Sequence, residues 1–319
     1  MLTLEPEEVA FIGQGMSRPE CVLATESGDL FASDSRGGIT ITDAAGRQRF
    51  VAASTPPADF LPNGIALMPD RSVLIANLGL SSGVWRLTPD GSLTLEIAEA
   101  DGIALPPVNF VGLDGAGRLW VTVSTRLVPR QGAFQKGYGD GFIAVKDARS
   151  CRIVADGLGF TNEAIVDPSG DWLYVNETIA QRTSRFQIRS NGSLGPRETV
   201  AEYGPATFPD GFAFDSEGGV WIVSVGSNRV IRVDAAGETH LVLEDCDAAE
   251  MADLSLAFDE GRFDRDMIDI ANHRRLGNIS SIAFGGPDLK TVYLGALGND
   301  RIATFRSQIA GARPVHWHF

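Results

Sequence analysis

The stretch Phe208-Pro-Asp-Gly-Phe-Ala-Phe-Asp-Ser-Glu-Gly-Gly-Val-Trp221 decides the fold, because its pattern returns along the chain. A polar residue, Asp210, leads a short apolar strand, a turn rich in acid and glycine follows, and a second apolar strand begins at Val220. Segments of the same pattern begin at Glu20, Asn63, Asn109, Asn162 and Ser280. The six first residues are 43, 46, 53, 48 and 70 positions apart, near the length of a four-stranded propeller blade apart from one insertion. The sequence therefore predicts six repeats of one structural unit.

The frequency of glycine and proline along the chain favours short strands over long helices. Thirty-six glycines and sixteen prolines interrupt it every several residues. We predict an all-β fold, a six-bladed β-propeller, with residues 1–319 forming a single domain. Residues 247–275, between the fifth and sixth repeats, have an irregular apolar pattern and predict a partly helical insertion over one end. The sixth repeat ends near Phe305, so we expect the segment around Val9 to Ile12 to supply its missing outer strand.

Composition excludes several classes of partner. A net charge of −14 with only three lysines disfavours nucleic acid and anionic membranes, because binding to phosphate needs a positive field. No apolar stretch approaches a membrane span, and the first residues lack the pattern of a signal peptide. Three widely spaced cysteines predict buried thiols in a reducing compartment. We expect a cytoplasmic protein that acts on a small molecule, and the sequence does not predict its oligomeric state.

The polar residues that lead the strands are the candidate functional residues. If the six inner strands surround one axis, their first residues form a ring of two carboxylates and three carboxamides: Glu20, Asn63, Asn109, Asn162 and Asp210. Such a ring offers hard oxygen ligands, which favour Ca²⁺, with Mg²⁺, Mn²⁺ and Zn²⁺ as alternatives. Taken singly, each Asn or Asp is better explained as a turn former. The shared register favours the metal, because two buried acids need a cation to neutralise them.

Two insertions and one histidine are weaker candidates. Residues 125–141, with Arg126 and Arg130, form a long interruption of the third repeat that is either a lid or a solvated excursion. His273 lies in the 247–275 insertion and is better explained as a surface or packing residue than as a site residue. The chain has no phosphate-binding loop and no histidine pair at zinc spacing, so those functions lack support.

The same segments resemble the senescence marker protein, gluconolactonase and luciferin-regenerating enzyme family, from Glu20 to about Phe305. The resemblance is strongest in Phe208 to Trp221, in Ile282-Ala-Phe-Gly-Gly-Pro-Asp-Leu-Lys-Thr-Val-Tyr293 and in the spacing from Asn109 through Trp120. It implies a six-bladed propeller with a divalent metal on its axis. By this resemblance Glu20, Asn162 and Asp210 are metal ligands, Asp210 is also the general base or acid, and Asn109 contacts substrate or completes the metal shell. Asn63 is an extra member of the ring that the resemblance does not strongly support, and it is expected at the pocket wall as a substrate contact.

Departures from the family pattern bear on the substrate. Pro107 and Phe110 stand where sugar lactonases of this family often carry Arg and Asp, so we expect a ligand less polar than a sugar lactone. The sequence then predicts a calcium-dependent hydrolase of a cyclic ester, in which the metal polarises the carbonyl and Asp210 activates water. Two alternatives stay open. One is phosphotriesterase, isomerase or lyase chemistry on a small hydrophobic molecule, and the other is a non-enzymatic binding propeller with a structural ion.

Overall fold

The protein, described by a computed structural model over residues 3–319, has six four-stranded antiparallel sheets that follow one another along the chain. The predicted six-bladed β-propeller is confirmed. In blades 1 to 5 the strands run in chain order from the innermost outward, and blade 6 follows the same order except that its outermost strand comes from the beginning of the chain. All six inner strands therefore surround the axis in the same direction.

The strand bounds, from inner to outer, are as follows: blade 1, Val22–Ala24, Leu30–Asp34, Gly38–Thr42 and Gln48–Ala52; blade 2, Pro62–Leu67, Val73–Asn77, Val84–Leu87 and Leu93–Ile97; blade 3, Phe110–Leu113, Leu119–Val123, Gly141–Lys146 and Cys151–Leu158; blade 4, Thr161–Val166, Trp172–Glu177, Arg182–Ile188 and Leu194–Glu202; blade 5, Phe208–Phe214, Val220–Val225, Arg229–Val233 and Thr239–Glu244; blade 6, Ile279–Gly285, Thr291–Ala296, Ile302–Arg306 and Ala10–Ile12. A two-stranded ribbon, Glu99–Ala100 with Ile103–Ala104, lies between blades 2 and 3.

Blade 6 is completed by the beginning of the chain. Strand Ala10–Ile12 pairs antiparallel with Ile302–Arg306, and Ala10 lies opposite Thr304. Val9, just before this strand, is 1% exposed and packs in the apolar cluster shared by blades 5 and 6. The predicted closure of the ring is therefore confirmed.

The core consists of the six interfaces between neighbouring blades. Each interface has its own apolar cluster, such as Trp120 with Leu173 between blades 3 and 4, or Trp221 with Phe284 between blades 5 and 6. Because a blade buries both of its faces, second strands such as Val73–Asn77 and Val220–Val225 are apolar at nearly every position. Outer strands reach solvent, and the outermost strand of blade 1 is exposed at four of its five residues.

The predicted helical insertion is confirmed. It contains helix α1 (Ala248–Asp259), helix α2 (Arg265–Ile268) and a 3₁₀ helix (Asp269–His273). Asp247 caps α1 by accepting hydrogen bonds from the backbone N–H groups of Ala249 and Glu250. Two further 3₁₀ helices span Pro6–Glu8 and Arg130–Ala133. None of the helices in residues 3–319 is long and apolar enough to cross a membrane.

The cysteines differ in part from expectation. Cys21 is buried, but Cys151 and Cys246 are only half-buried, because one begins an outer strand and the other lies just after one. All three are free thiols.

The closure of blade 6 predicts a stability effect at the beginning of the chain. We expect Val9→Ala to lower the free energy of unfolding by about 1 to 3 kcal/mol, because it removes methyl groups from a filled cluster. The matched control, Val315→Ala, changes a residue that is 41% exposed and should shift stability by less than about 0.5 kcal/mol. Urea unfolding measures both, and equal effects would contradict an anchoring role for the N-terminal segment.

Candidate active site

β-Bulges place the polar residues that lead the inner strands. The pairing register shifts between Pro62 and Ile65 in blade 2, between Thr161 and Ala164 in blade 4, and between Pro209 and Phe212 in blade 5. Asn63, Asn162 and Asp210 therefore lie within strands rather than in the turns before them. A bulge re-aims a side chain, and all three are buried.

The predicted ring residues form one hydrogen-bonded cluster at one end of the axis. Asn63 Nδ2 donates to Glu20 Oε1 at 3.0 Å and to the backbone carbonyl of Asn109 at 2.8 Å. Asn109 Nδ2 donates to Asn162 Oδ1 at 2.7 Å. The sixth strand contributes Ser280, whose hydroxyl donates to the backbone carbonyl of Glu20 at 2.8 Å. Residues from five blades are thus in direct contact.

Asp210 is placed by its backbone. Its carbonyl accepts a hydrogen bond from Asn176 Nδ2 at 2.8 Å, and the neighbouring carbonyl of Pro209 accepts one from Thr178 Oγ1 at 2.8 Å. Thr178 Oγ1 also accepts from Asn162 Nδ2 at 3.1 Å. Asn176 in the second strand of blade 4 and Thr178 just after it therefore link Asn162 to the backbone around Asp210.

Two buried carboxylate oxygens in this cluster have no hydrogen-bond partner in residues 3–319. They are Glu20 Oε2 and Asp210 Oδ1. Burial raises the pKa of Glu20 to about 7, although Arg18 and Arg130 oppose the shift. Burial, with repulsion from Glu20, raises the pKa of Asp210 well above its usual value. Each acid is therefore costly to ionise in the absence of a further cation.

The donor set fits a divalent cation. Glu20 and Asp210 each offer an orphaned carboxylate oxygen, and the amide oxygen of Asn162, in the same cluster, has accepted only one hydrogen bond. Hard oxygen atoms from carboxylates and amides are the ligands that Ca²⁺ and Mg²⁺ take in proteins. A second group of possible ligands, Asp234, Glu238 and His240, lies at an outer turn of blade 5, where His240 already contacts Asp234 at 2.9 Å.

Two arginines that the sequence did not assign to the site bind the amide cluster. Arg130 Nη2 donates to Asn109 Oδ1 at 3.1 Å and to Ser124 Oγ at 3.0 Å. Arg18 Nη2 donates to Asn63 Oδ1 at 2.8 Å. Both are half-buried, and across residues 3–319 neither has a carboxylate oxygen within 4 Å. Burial lowers the pKa of Arg130 to about 10.

These arginines bear on the expectation of a ligand less polar than a sugar lactone. Pro107 stands two residues before Asn109, where sugar lactonases of the family often carry an arginine. Arg130, from the 125–141 segment, places a guanidinium group against the side chain of Asn109 instead. Arg265 of α2 adds a third positive charge nearby, which acts on Glu20 and Asp210 and is paired with Asp269 at 2.7 Å. The repeat pattern did not reveal these residues because they lie outside its register.

The two insertions pack on one another. The ring of Phe134 lies 5.0 Å from that of Phe160 and 5.9 Å from that of Phe263, and Lys136 forms an ion pair with Asp259 at 2.7 Å. The 125–141 segment therefore contributes Arg130 to the cluster and also contacts the helical insertion. His273 is exposed and lies 3.6 Å from Glu250, which agrees with the surface interpretation.

Comparisons with known proteins give the family of the chain. Residues 18–244 match the model of the SMP-30/Gluconolactonase/LRE-like region. A 6-deoxy-6-sulfogluconolactonase from Pseudomonas putida is 24% identical over 71% of this chain and 66% of its own length. A pentonolactonase from Haloferax volcanii is 29% identical over 46% of this chain and 39% of its own. The chain thus spans about two thirds or less of the length of these relatives.

A solved structure agrees on the fold. The calcium-binding protein regucalcin from Agrobacterium tumefaciens superimposes with a TM-score of 0.70 at 18% identity, covering 100% of both chains. Identity at this level establishes the fold alone. Since the family model matches more than half of the residues, the chain belongs to the SMP-30, gluconolactonase and luciferin-regenerating enzyme family.

Proposed function

We propose that the protein is a divalent-metal-dependent hydrolase of a cyclic ester, with Ca²⁺ as the favoured ion. The observation that carries this proposal is the pair of unpartnered carboxylate oxygens of Glu20 and Asp210 within an otherwise satisfied amide network. Glu20, Asn162 and Asp210 would hold the ion. When bound, it supplies positive charge that polarises the ester carbonyl. Lactonase names among the relatives support the reaction class.

The side chains have distinct roles in this proposal. Asp210 takes a proton from the attacking water as the water oxygen bonds to the carbonyl carbon, and returns it to the ring oxygen when the ring carbon–oxygen bond breaks. Asn109, held by Arg130, contacts the substrate. The side-chain amide of Asn63 donates hydrogen bonds to Glu20 and to the backbone of Asn109. We therefore propose that Asn63 positions Glu20 and does not form part of the pocket wall.

The two half-buried arginines favour a substrate with an acidic substituent. Arg18 and Arg130 have no carboxylate partner within 4 Å in residues 3–319, and a guanidinium matches a carboxylate, sulfonate or phosphate in geometry. With a divalent ion neutralising Glu20 and Asp210, their charges remain available to the substrate. We therefore propose an anionic lactone in place of the less polar ligand expected from Pro107 and Phe110.

The alternatives are separated by one screen. Lactones and organophosphates are offered to the purified protein with and without a chelator, and metal content is measured by elemental analysis. Chelator-sensitive opening of lactones supports the proposal. Turnover of phosphotriesters alone would favour the phosphotriesterase, and bound metal without any turnover would favour the non-enzymatic binding propeller.

The role of Asp210 predicts a loss of turnover without a loss of fold. We expect Asp210→Asn to lower kcat for lactone opening by a factor of about 10² to 10⁴, because the amide cannot take up a proton. The control is Asp253→Asn, which changes an exposed carboxylate of α1. Circular dichroism should show the same fold in both variants, and undiminished hydrolysis by Asp210→Asn would refute the assignment.

The raised pKa of Glu20 predicts an unusual pH dependence for chelated protein. Between about pH 5 and 7 the folded state keeps a proton that the unfolded chain has released, so the free energy of unfolding should fall as the pH rises. Ca²⁺ affinity should rise over the same interval, because protons compete with the ion.

Urea unfolding with and without calcium measures this dependence. The slope should be shallower in the variant Glu20→Gln, which cannot titrate at this position. A stability that rises with pH in chelated wild-type protein, or an identical slope in the variant, would contradict the prediction.

The proposed substrate charge predicts a selective defect for Arg130→Gln. Its kcat/KM should fall about tenfold or more for glucarolactone, which carries a carboxylate, and much less for neutral gluconolactone. Arg126→Gln is the matched control, since Arg126 lies in the same segment but pairs with Asp156 at 2.8 Å in an exposed position. Equal losses on both lactones would show that Arg130 only supports Asn109.

A further inference from the structure

A cavity lies along the axis beyond the ring cluster, toward the opposite end of the propeller. Its volume is about 550 Å³, within the usual range for small-molecule sites. Every blade contributes apolar side chains to its wall, including Leu23, Ile65, Phe110, Ile165, Phe212 and Ile282. The inner strands run from the polar cluster into this cavity, so the two sites share the axis but differ in chemistry.

Residues 312–319, which we name the C-terminal strap, run along the far end of this cavity. The N–H of Ala312 donates to the carbonyl of Phe214 in blade 5 at 2.9 Å. The carbonyl of Trp317 accepts from Glu26 after the inner strand of blade 1 at 2.8 Å, and that of Phe319 accepts from Arg71 of blade 2 at 3.1 Å. Trp317 is buried, and residues 312–316 line the cavity. The strap thus covers part of the far opening and leaves the cavity partly open to solvent.

Glu163 lines the cavity at the end that faces the ring cluster. It follows Asn162, at the position where the other inner strands carry only uncharged residues: Cys21, Gly64, Phe110, Gly211 and Ser281. Its side chain is 5% exposed, and Oε2 accepts one hydrogen bond, from the N–H of Phe212 at 3.2 Å. Within residues 3–319, Oε1 accepts none.

The backbone opposite leaves room for this carboxylate. A methyl group at Gly211 would approach Glu163 Oε1 to 2.9 Å and the carbonyl oxygen of Ser280 to 2.7 Å. Glycine at position 211 therefore leaves room for the carboxyl group of Glu163 beside the axis of the propeller.

We propose that the axial cavity is a second ligand site, for a small apolar molecule that carries an amine. A carboxyl group buried against hydrocarbon is costly unless a donor pairs with it, and the protein supplies one N–H to only one of its two oxygens. The ammonium group of the ligand would donate a hydrogen bond to Oε1, and the hydrocarbon part of the ligand would displace water from the apolar wall. A charge-assisted hydrogen bond is about twice as strong as a neutral one, so an amine is preferred over an alcohol of the same shape.

The test uses 1-aminoadamantane and its neutral counterpart 1-adamantanol as probes, with the full chain saturated with Ca²⁺. Isothermal titration calorimetry should show that wild-type protein binds the amine about tenfold or more tightly than the alcohol. Glu163→Gln should abolish this preference but keep binding of the alcohol. Ala213→Trp, which places a large side chain in the cavity, should remove binding of both probes. The matched control is Asp167→Asn, a carboxylate at the outer end of the same strand, and it should preserve the preference.

A local readout keeps the test independent of fold stability. The N–H of Phe212 is bonded to Glu163, so its nuclear magnetic resonance signal should move when the amine binds to wild-type protein. Circular dichroism establishes that each variant is folded. The proposal is overturned if neither probe binds, if the amine has no advantage over the alcohol, or if Glu163→Gln and Ala213→Trp bind the amine as wild-type protein does.

Discussion

Repulsion between the carboxylates of Glu20 and Asp210 is the constraint on which the rest of the site depends. Both are buried, and each keeps one oxygen without a hydrogen-bond partner in the described chain. The protein does not relieve this by pairing either acid directly with an arginine. Instead the guanidinium groups of Arg18 and Arg130 bind the neighbouring amide oxygens of Asn63 and Asn109. The arginines offset part of the negative charge at a distance and leave the carboxylate oxygens open to a ligand.

The propeller makes this arrangement rigid. An amide network would relax if its members lay on mobile segments, but each member here begins or interrupts a strand buried on both faces. The bulges at Asn63, Asn162 and Asp210 turn these side chains without breaking the blades. The insertions then add Arg130 and Arg265 from outside the repeat. The repeated part of the chain therefore supplies the oxygen ligands, and the irregular part supplies the positive charge.

Much of this architecture could be predicted from sequence, because the repeat imposes one register on distant segments. The same register placed Glu20, Asn63, Asn109, Asn162 and Asp210 together. The structure joins the first four by hydrogen bonds and links Asp210 to them through Thr178 and the carbonyl of Pro209. The arginines could not be predicted this way, since their positions depend on how the long segments fold back. Arg130 shows the limit most clearly. A missing arginine near Pro107 suggested lost charge, although a residue 23 positions later restores it.

Glu163 escaped the sequence analysis for another reason. It stands immediately after a ring residue, where the alternation of a strand predicts a side chain directed away from the site. The bulge between Thr161 and Ala164 breaks that alternation. Regular alternation along the strand therefore predicts that Asn162 faces the axis but wrongly predicts that Glu163 faces away from it.

The way the ring closes has a consequence for how the molecule is made. During synthesis, strand Ala10–Ile12 leaves the ribosome long before Ile302–Arg306, its partner in blade 6. Until blade 6 is complete, strand Ala10–Ile12 and the outer edge of Ile302–Arg306 have no partner strand. Each of these unpaired edges can form hydrogen bonds with another polypeptide. A nascent chain whose first strand finds blade 6 of another copy would produce an exchanged dimer with every native contact preserved. The pairing of Ala10–Ile12 with Ile302–Arg306 comprises three residue pairs, and the balance between self-closure and exchange depends on the local concentration of chains during translation.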